Sequence, residues 1–379
     1  KAAGMLTNFK WARDSLSNGF VGPEINKASD ALEINDVIYV TQKDNDTFYL
    51  EQEPKINGGI IVMDPYTGRV LALSGGFDFN LSNFNRVTQA KRQPGSSFKP
   101  FVYMSALENG LQPNSLILDA PFVVDQGNEL GKWKPENYGK KFYGPSTLRK
   151  GIENSRNLMT IRIAQYLGME KVSEIADRVG IMEEMPPVLS MALGAGETSL
   201  INLTAAYSAF VNGGRKINPS LIDRIQDRRG KNIFLESFSE CSNCNNPYLQ
   251  EEPKPNLINT TEKIFDEAKS YQMVSILKGA VDRGTGRKTK INGIEIAGKT
   301  GTTNNNTDAW FIGFTSDLII GVYAGFDAPE TLGKKETGSS VAVPIFRKFV
   351  EDYYADKQIL PFVIPKGIEL IRIDYDTGE

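Results

Sequence analysis

From residue 58 onward the apolar pattern is regular enough to assign elements. Ile60-Ile61-Val62-Met63 and Val70-Leu71-Ala72-Leu73 flank Asp64-Pro65-Tyr66-Thr67-Gly68. Two apolar runs around a Pro- and Gly-bearing turn predict a β-hairpin. Both of its faces are apolar, so the hairpin is expected to be buried. Helical signals follow. One helix is predicted from Phe98 to Asn109, ending at Gly110, a residue suited to a helix C-terminus. Further helices are predicted over Thr147–Gly151, Leu158–Leu167, Lys171–Val179, Asn202–Val211 and Glu267–Val281. Late strands are expected over Gly293–Ala297, Ala309–Phe314 and Leu318–Ala324, and a last helix over Val343–Tyr354. In this order the early hairpin and the late strands can share one sheet, with helices on its faces.

The first 55 residues read differently. Short strand-like runs, Asp36–Thr41 and Thr47–Leu50, sit between polar turns, and Pro54 closes the segment. A small β-rich piece is expected here. The stretch Arg228–Thr260 is polar and irregular, which suggests a surface insertion.

Composition narrows the function classes. The chain has 379 residues, room for a large core and for two domains of unequal size. Hydrophobic residues make up 40% and charged residues 23%, as in an ordinary globular protein. The net charge is −3 and no basic stripe appears, so nucleic acid is not an expected partner. Apolar runs such as Leu318–Tyr323 fall far short of the roughly 18 residues of a membrane span. The chain opens Lys1-Ala2-Ala3-Gly4 without an initiator Met, and is read as part of a longer protein whose anchor or targeting segment lies upstream.

Histidine is absent. A Ser-His-Asp triad and a Cys-His dyad are therefore impossible, and no metal or cofactor is expected. Any acyl transfer must use Lys, Asp, Glu or Tyr as its base. The two cysteines, Cys241 and Cys244, form a Cys-x-x-Cys in a polar loop. Two cysteines cannot complete a zinc site alone, which leaves a local loop staple or two idle thiols.

Three short motifs occur in order: Ser96-Ser97-Phe98-Lys99, Ser155-Arg156-Asn157 and Lys299-Thr300-Gly301, the last extended by Thr302 and Thr303. A Ser and a Lys three apart stand on one helix face, so the amine can reach the hydroxyl. Pro94-Gly95 places Ser96 near the helix start, where the positive end of the helix dipole disfavours an ammonium. A neutral Lys99 is then a usable general base. Around the third motif, Gly298 and Gly301 allow close approach of a ligand backbone. Lys299 supplies charge, and Thr300 and Thr302 supply hydroxyls, a combination suited to a carboxylate. The backbone N–H of Thr302 can join that of Ser96 in an oxyanion hole. Ser-x-x-Lys alone is weak, since roughly one or two arise by chance in a chain of this length. The ordered set is the informative signal.

Gly293-Ile294-Glu295-Ile296-Ala297-Gly298-Lys299-Thr300 also matches the phosphate-loop pattern. A phosphate loop follows a strand and opens a helix. Here the intervening residues read as the strand itself, and Gly301-Thr302-Thr303-Asn304-Asn305-Asn306 is a poor helix start. The pattern is rejected as an ATP site.

The three motifs together resemble those of penicillin-binding proteins and class A β-lactamases. The longer stretch Arg92-Gln93-Pro94-Gly95-Ser96-Ser97-Phe98-Lys99-Pro100-Phe101 resembles the class A, bifunctional penicillin-binding proteins. So do Trp133-x-Pro135-x-Asn137-Tyr138, Ser155-Arg156-Asn157-Leu158, and Lys299-Thr300-Gly301-Thr302-Thr303 followed by Asp308-Ala309-Trp310-Phe311. The resemblance implies an α/β (α+β) fold of the serine transpeptidase/β-lactamase type, with a central antiparallel sheet and helices on both faces. The resemblance covers about residues 25 to 350, and the chain is expected to divide into a small β-rich linker or OB-like segment over 1–55, a transpeptidase domain over 56–356 and a C-terminal extension over 357–379.

The resemblance further implies peptidoglycan D,D-transpeptidation. Ser96 would attack the carbonyl between the two terminal D-alanines of a stem peptide, with Lys99 taking its proton. Ser155 would relay a proton to the departing D-alanine, and Asn157 would bind the donor amide. Lys299, Thr300 and Thr302 would hold the terminal carboxylate, with Gly301 and Thr303 in the same binding strand. A second stem's amine would release the acyl group. β-Lactams would trap Ser96 as an ester. The family places such enzymes on the extracytoplasmic, periplasmic face of the inner membrane.

Family members carry a membrane anchor and a glycosyltransferase domain ahead of this region, and neither is in this chain, so glycan polymerisation is not expected of it. The middle motif is Ser-Arg-Asn rather than Ser-Asp-Asn, with no counterpart to the deacylating Glu of class A β-lactamases. This favours slow hydrolysis. A D,D-carboxypeptidase or β-lactamase-like hydrolase, and a non-turnover β-lactam sensor or wall-binding scaffold, are the competing readings.

Overall fold

A computed structural model describes residues 5–14, 16, 22–44, 46–125, 131–237, 239–241 and 257–379. Three strands come first: β1 (Met5–Thr7), β2 (Tyr39–Asp44) and β3 (Thr47–Glu51). They form a sheet of order β1-β3-β2, apart from the main sheet. The β-rich start is therefore present.

The expected hairpin follows as β4 (Asn57–Met63) and β5 (Val70–Ser74). Asp64 closes its turn, its carboxylate accepting the N–H groups of Tyr66 at 2.8 Å and Thr67 at 3.2 Å. Gly68 has φ +78°, and a Cβ there would meet the Asn218 carbonyl oxygen at 2.3 Å, so glycine is required. The hairpin is only half buried. Ile61, Val62 and Met63 are in the core, whereas Leu71 on β5 is 51% exposed. The cause is topology: β5 is a sheet edge.

The middle of the chain holds α1 (Lys99–Glu108), β6 (Leu116–Asp119), β7 (Val124–Asp125), β8 (Lys132–Trp133) and β9 (Gly144–Thr147). Then come α2 (Leu148–Glu153), α3 (Asn157–Leu167), α4 (Met169–Arg178) and α5 (Leu200–Val211). Side-chain caps set several helix starts. Thr147 caps α2 by accepting the Lys150 N–H at 3.2 Å, and Ser199 caps α5 by accepting that of Asn202 at 3.3 Å.

The stretch Arg228–Thr260 is more regular than expected. It takes part in two short antiparallel ribbons, β10 (Arg224–Gln226) with β11 (Asn232–Leu235) and β12 (Ser239–Cys241) with β13 (Leu257–Asn259). Backbone pairing here needs no apolar alternation, so composition did not show it. Cys241 is disulfide-bonded, and Cys244 lies outside the described residues.

The chain ends with α6 (Glu267–Asp282), β14 (Ala297–Thr302), β15 (Asp308–Phe314), β16 (Ile319–Gly325) and α7 (Val343–Tyr353). The strand expected over Gly293–Ala297 is displaced to β14. Ile294 and Ile296 alternate because they drape a loop onto the α7 core, not because they form a strand. The phosphate-loop reading fails on the same ground, since Lys299 and Thr300 lie inside a strand that continues to Thr302.

The central sheet is antiparallel throughout, in the order β14-β15-β16-β4-β5. Alternate residues feed two cores. Ile61, Met63, Trp310, Ile312 and Phe314 pack with α1 and α3–α6, whereas Val62, Phe311, Ile320 and Val322 pack with α7. Helices thus cover both faces, as expected. Residues 357–379 form no helix or strand and return across the domain. No helix among the described residues is long and apolar enough to cross a membrane.

Candidate active site

Ser96 sits in a 3₁₀ turn, Gly95–Phe98, that leads directly into α1. Gly95 has φ +52°, and a Cβ there would meet the Thr302 carbonyl oxygen at 2.5 Å. This glycine lets the helix start press against the edge strand β14. Ser97 Oγ donates to the Pro94 carbonyl at 2.6 Å, and Tyr207 donates its hydroxyl to the Ser97 carbonyl. Phe98 and Phe101 fill the core beneath. Ser96 is left facing the cavity while Lys99 is fully buried.

Lys99 does not bond Ser96 in this state. Its Nζ donates to the Ser155 carbonyl at 2.7 Å, to Ser155 Oγ at 3.2 Å and to Asn157 Oδ1 at 2.6 Å. A carbonyl and an amide oxygen out-compete a hydroxyl for the amine, which explains the difference from the expected Ser96–Lys99 contact. The Lys99 pKa lies well below the ordinary lysine value because of burial and then the charge of Lys299. The helix dipole invoked from sequence is not the leading cause. Lys299, also fully buried, is brought by burial down to about 7. Its Nζ donates to Ser155 Oγ and to the Thr300 carbonyl, both at 3.0 Å.

Ser155 occupies the turn between α2 and α3 with φ +56°, a left-handed conformation uncommon for a residue with a Cβ. Its N–H donates to the Ile152 carbonyl at 3.0 Å, and that of Arg156 to the Gly151 carbonyl at 2.8 Å. The adjacent Asn157 is held at both ends. Its Oδ1 accepts from Lys99, and its Nδ2 donates to the Glu136 carbonyl at 2.7 Å. A residue without a sequence-assigned role, Asn137, caps α3: its Oδ1 accepts the N–H groups of Asn157 at 2.9 Å and Leu158 at 3.3 Å. Its Nδ2 donates to Asp119 at 2.7 Å. Asp119 also pairs with Arg156, whose guanidinium lies 3.1 Å from the Tyr143 ring centroid.

The third wall is β14. Thr302 stands opposite Ala309, and the Thr303 N–H bonds the Asp308 carbonyl at 3.2 Å. Antiparallel pairs alternate, so Thr300 and Thr302 fall in non-hydrogen-bonded pairs and their N–H groups point off the free edge. That edge faces the Ser96 turn. At Gly301 a Cβ would meet the Pro94 carbonyl oxygen at 2.4 Å. The Thr300 hydroxyl lies 2.9 Å from that of Thr285, and Thr302 Oγ1 accepts the Gly338 N–H at 3.0 Å. Thr303 is tied into its own turn, its Oγ1 accepting the Asp308 N–H at 2.9 Å.

These walls enclose a cavity of about 480 Å³. Ser96, Ser155, Asn157, Thr300, Thr302 and Thr303 line it, and the two lysines lie behind them. Larger hollows, of about 940 Å³ in the N-terminal module and about 830 Å³ beside α4, bring none of the three motifs together. Sequence reading missed Thr285, which also lines the cavity. Its only signal is its place in Gly284-Thr285-Gly286, just after α6. Tyr138, Tyr143 and Ser339 complete the rim.

A five-stranded antiparallel sheet covered on both faces, with a serine at a helix start beside two buried lysines, places the chain in the structural class shared by penicillin-binding proteins and class A β-lactamases. Residues 58–351 match the model of the penicillin binding protein transpeptidase domain, and the chain belongs to that family. Residues 5–56 match the penicillin-binding protein OB-like domain. The chain is 44% identical over 385 residues to penicillin-binding protein 1A of Rickettsia typhi, an alignment covering 100% of this chain and 47% of the relative. It is 38% identical over 412 residues to penicillin-binding protein 1A of Pseudomonas aeruginosa, covering 98% and 49%. The chain thus spans about half the length of these relatives. Among solved structures, penicillin-binding protein 1A of Haemophilus influenzae superposes with a TM-score of 0.81 at 30% identity, over 92% of this chain and 55% of that one. The PonA1 protein of Mycobacterium tuberculosis in complex with penicillin V shares the fold, with a TM-score of 0.70 at 23% identity.

Proposed function

We propose that this chain cross-links peptidoglycan stem peptides as a serine D,D-transpeptidase acting through an acyl-enzyme on Ser96. The observation that carries the reading is the convergence of Lys99 and Lys299 on Ser155 Oγ in the wall of the cavity that Ser96 lines.

Lys99 is the base. Burial favours its neutral form, and rotation away from Ser155 and Asn157 brings its Nζ to Ser96, one helical turn position earlier. Ser96 Oγ attacks the carbonyl between the two terminal D-alanines, its proton passes to Lys99, and the oxyanion accepts the N–H groups of Ser96 and Thr302. The carbon–nitrogen bond then breaks. Ser155 donates its proton to the departing D-alanine amine and is reprotonated from the lysines, so charge balances. Asn157 holds the donor amide. Thr300 and Thr302 hold the terminal carboxylate, with the buried Lys299 contributing its charge from behind the wall and Gly301 and Thr303 shaping that strand. The amine of a second stem then attacks the ester and frees Ser96.

A β-lactam carries a carboxylate and a strained amide in the same relation and acylates Ser96 by the same first step. The OB-like segment over 1–55, the transpeptidase domain over 56–356 and the extension over 357–379 are parts of a longer, membrane-anchored protein on the periplasmic face of the inner membrane.

Intact-mass measurement with benzylpenicillin tests the reading, with Ser96→Ala alongside. The expected result is a persistent adduct of one drug mass in the wild type and none in the variant. Rapid drug hydrolysis without a lasting adduct points to a hydrolase instead. An adduct without cross-linking of synthetic stem peptides points to a sensor.

A further inference from the structure

We infer that Tyr375, in the C-terminal segment, is a positioning residue for the Ser155 wall of the active site, acting through the buried carboxylate of Glu153. The inference rests on the transpeptidase reading above and adds a part of the chain to its machinery.

Glu153 is the last residue of α2, two positions before Ser155, and its side chain is fully buried. Its Oε2 accepts Arg283 Nε and the Tyr375 hydroxyl, both at 2.9 Å, and its Oε1 accepts Arg283 Nη2 at 2.6 Å. Arg149 stands 3.8 Å from Oε1. Space has been cleared for this group. A Cβ at Gly279 would meet Glu153 Oε1 at 2.0 Å, and one at Gly284 would meet the Glu153 carbonyl oxygen at 2.2 Å.

The same residue joins two cavity walls. The Glu153 carbonyl accepts the Thr285 N–H at 3.1 Å, and Thr285 meets Thr300 on β14 through its hydroxyl. Loss of a donor on its carboxylate bears first on Ser155, two residues along the chain, whereas the Thr285 contact is made to the Glu153 backbone carbonyl and persists. Burial raises the energy of its charged form, so each donor on it is needed. Of its three partners, Arg149 faces it at ion-pair distance and Arg283 donates to it, both from elements already flanking the site. The third comes from the far end of the chain.

Tyr375 is delivered by a pre-built turn. Asp374 Oδ1 accepts the N–H groups of Asp376 at 2.9 Å and Thr377 at 2.7 Å, and the Asp374 N–H bonds the Glu379 carbonyl at 2.7 Å. The turn is tied down from outside the Glu153 pocket. Asp376 pairs with Lys150, and the Gly378 carbonyl accepts from Asn114 Nδ2 at 2.9 Å. Arg283 and Lys150 also lie over the Tyr375 ring, at 5.1 and 5.3 Å from its centroid. A segment that only covered apolar surface would not need a hydroxyl aimed at a buried carboxylate.

The test is stopped-flow acylation by benzylpenicillin of the wild type and Tyr375→Phe, which keeps the ring and removes the hydroxyl. The acylation rate constant is separated from the dissociation constant of the non-covalent complex. A positioning role predicts a rate constant lower by about five- to thirtyfold, since small misplacements of reacting groups carry such costs. The dissociation constant should stay near wild type, while the melting temperature should fall by a few degrees, since a buried carboxylate loses one donor. An unchanged rate constant in a folded Y375F, or an equal loss in both constants, overturns the inference. Absence of acylation in the wild type would instead sink the transpeptidase reading. If Y375F does not fold, Asn114→Ala releases the turn without entering the Glu153 pocket. Its rate constant is then expected to fall about two- to fivefold, again with the dissociation constant unmoved, and no change overturns the inference.

Discussion

Lys99 and Lys299 donate to the same atom, Ser155 Oγ, at 3.2 and 3.0 Å. A hydroxyl oxygen can accept two hydrogen bonds and still donate its own proton. Ser155 is thereby left with one proton to give, aimed by two amines that cannot comfortably both be charged. Each lysine is buried, and the charge of Lys299 lowers the pKa of Lys99 further. In the mechanism proposed above, the neutral Lys99 that burial and Lys299 favour is the base.

A pH dependence follows with a definite sign. If Lys99 is the base, acylation needs its lone pair, so the rate is expected to rise with pH as Lys99 loses its proton, well below the ordinary lysine range. Lys299→Ala removes a cation beside Lys99, which favours its ammonium and raises its pKa. The rising limb of the acylation profile should move to higher pH by about one to two units, the size of a charge–charge term a few ångströms apart at an effective dielectric near 20. Overall rates will also fall, because a carboxylate partner is lost, but the limb position reads the coupling. A limb that stays put or moves to lower pH would refute it.

The left-handed Ser155 separates strain from chemistry. Its φ of +56° costs a residue with a Cβ about 1 kcal/mol and costs glycine nothing. Ser155→Gly should therefore be more stable than Ser155→Ala by about 1 kcal/mol, measured by denaturant unfolding. Both should acylate about 10²- to 10⁴-fold more slowly than the wild type if Ser155 carries the relay proton. Equal stabilities would show that the turn relaxes, and near-wild-type acylation in either would remove Ser155 from the mechanism.

The fold was legible where the apolar signal is dense or periodic, as along β15, a wholly buried run that feeds a core on each face, and along the helices α3 and α6. It was not legible at β14. Ala297-Gly298-Lys299-Thr300-Gly301-Thr302 holds no aliphatic alternation, because its side chains belong to the site and its faces are closed by neighbours. The strand signal was instead read from Ile294 and Ile296, which are packed loop residues. In the candidate site, short motifs picked out Ser96, Lys99, Ser155, Asn157 and Lys299, which the fold brings together. Thr285 and Tyr375 were out of reach, since each matters only through a partner distant in sequence: Thr300 for one, Glu153 for the other.

Gly95 offers a test of the close approach between α1 and β14. Gly95→Ala places a methyl in the left-handed region and 2.5 Å from the Thr302 carbonyl oxygen. The turn must move away from the strand, which separates the Ser96 and Thr302 N–H groups. Loss of one oxyanion donor typically slows acyl transfer about 10²- to 10³-fold. Stability should fall by about 1–3 kcal/mol, from strain at a special backbone position. Acylation kinetics at a temperature well below the variant's melting point would decide the matter. A variant that acylates at the wild-type rate would mean that the approach is not needed for the oxyanion.

Thr285 tests whether the carboxylate site extends beyond β14. Its hydroxyl lies 2.9 Å from that of Thr300 and it lines the cavity, so in the proposed carboxylate site it would orient the Thr300 hydroxyl. Thr285→Val keeps the shape and removes the oxygen. The backbone N–H of residue 285, which bonds the Glu153 carbonyl, is retained, so the wall stays in place. A free Thr300 hydroxyl can still rotate to the ligand, but it loses the preorganising partner, a difference of about 0.5–1.5 kcal/mol. The dissociation constant for benzylpenicillin should then rise about two- to tenfold, with the acylation rate constant within a factor of about two of wild type. The contrast with Tyr375→Phe is the informative part, because that change is expected to move the rate constant and spare the binding. A T285V variant that lost rate and kept affinity would show that Thr285 positions the reacting groups and does not hold the carboxylate.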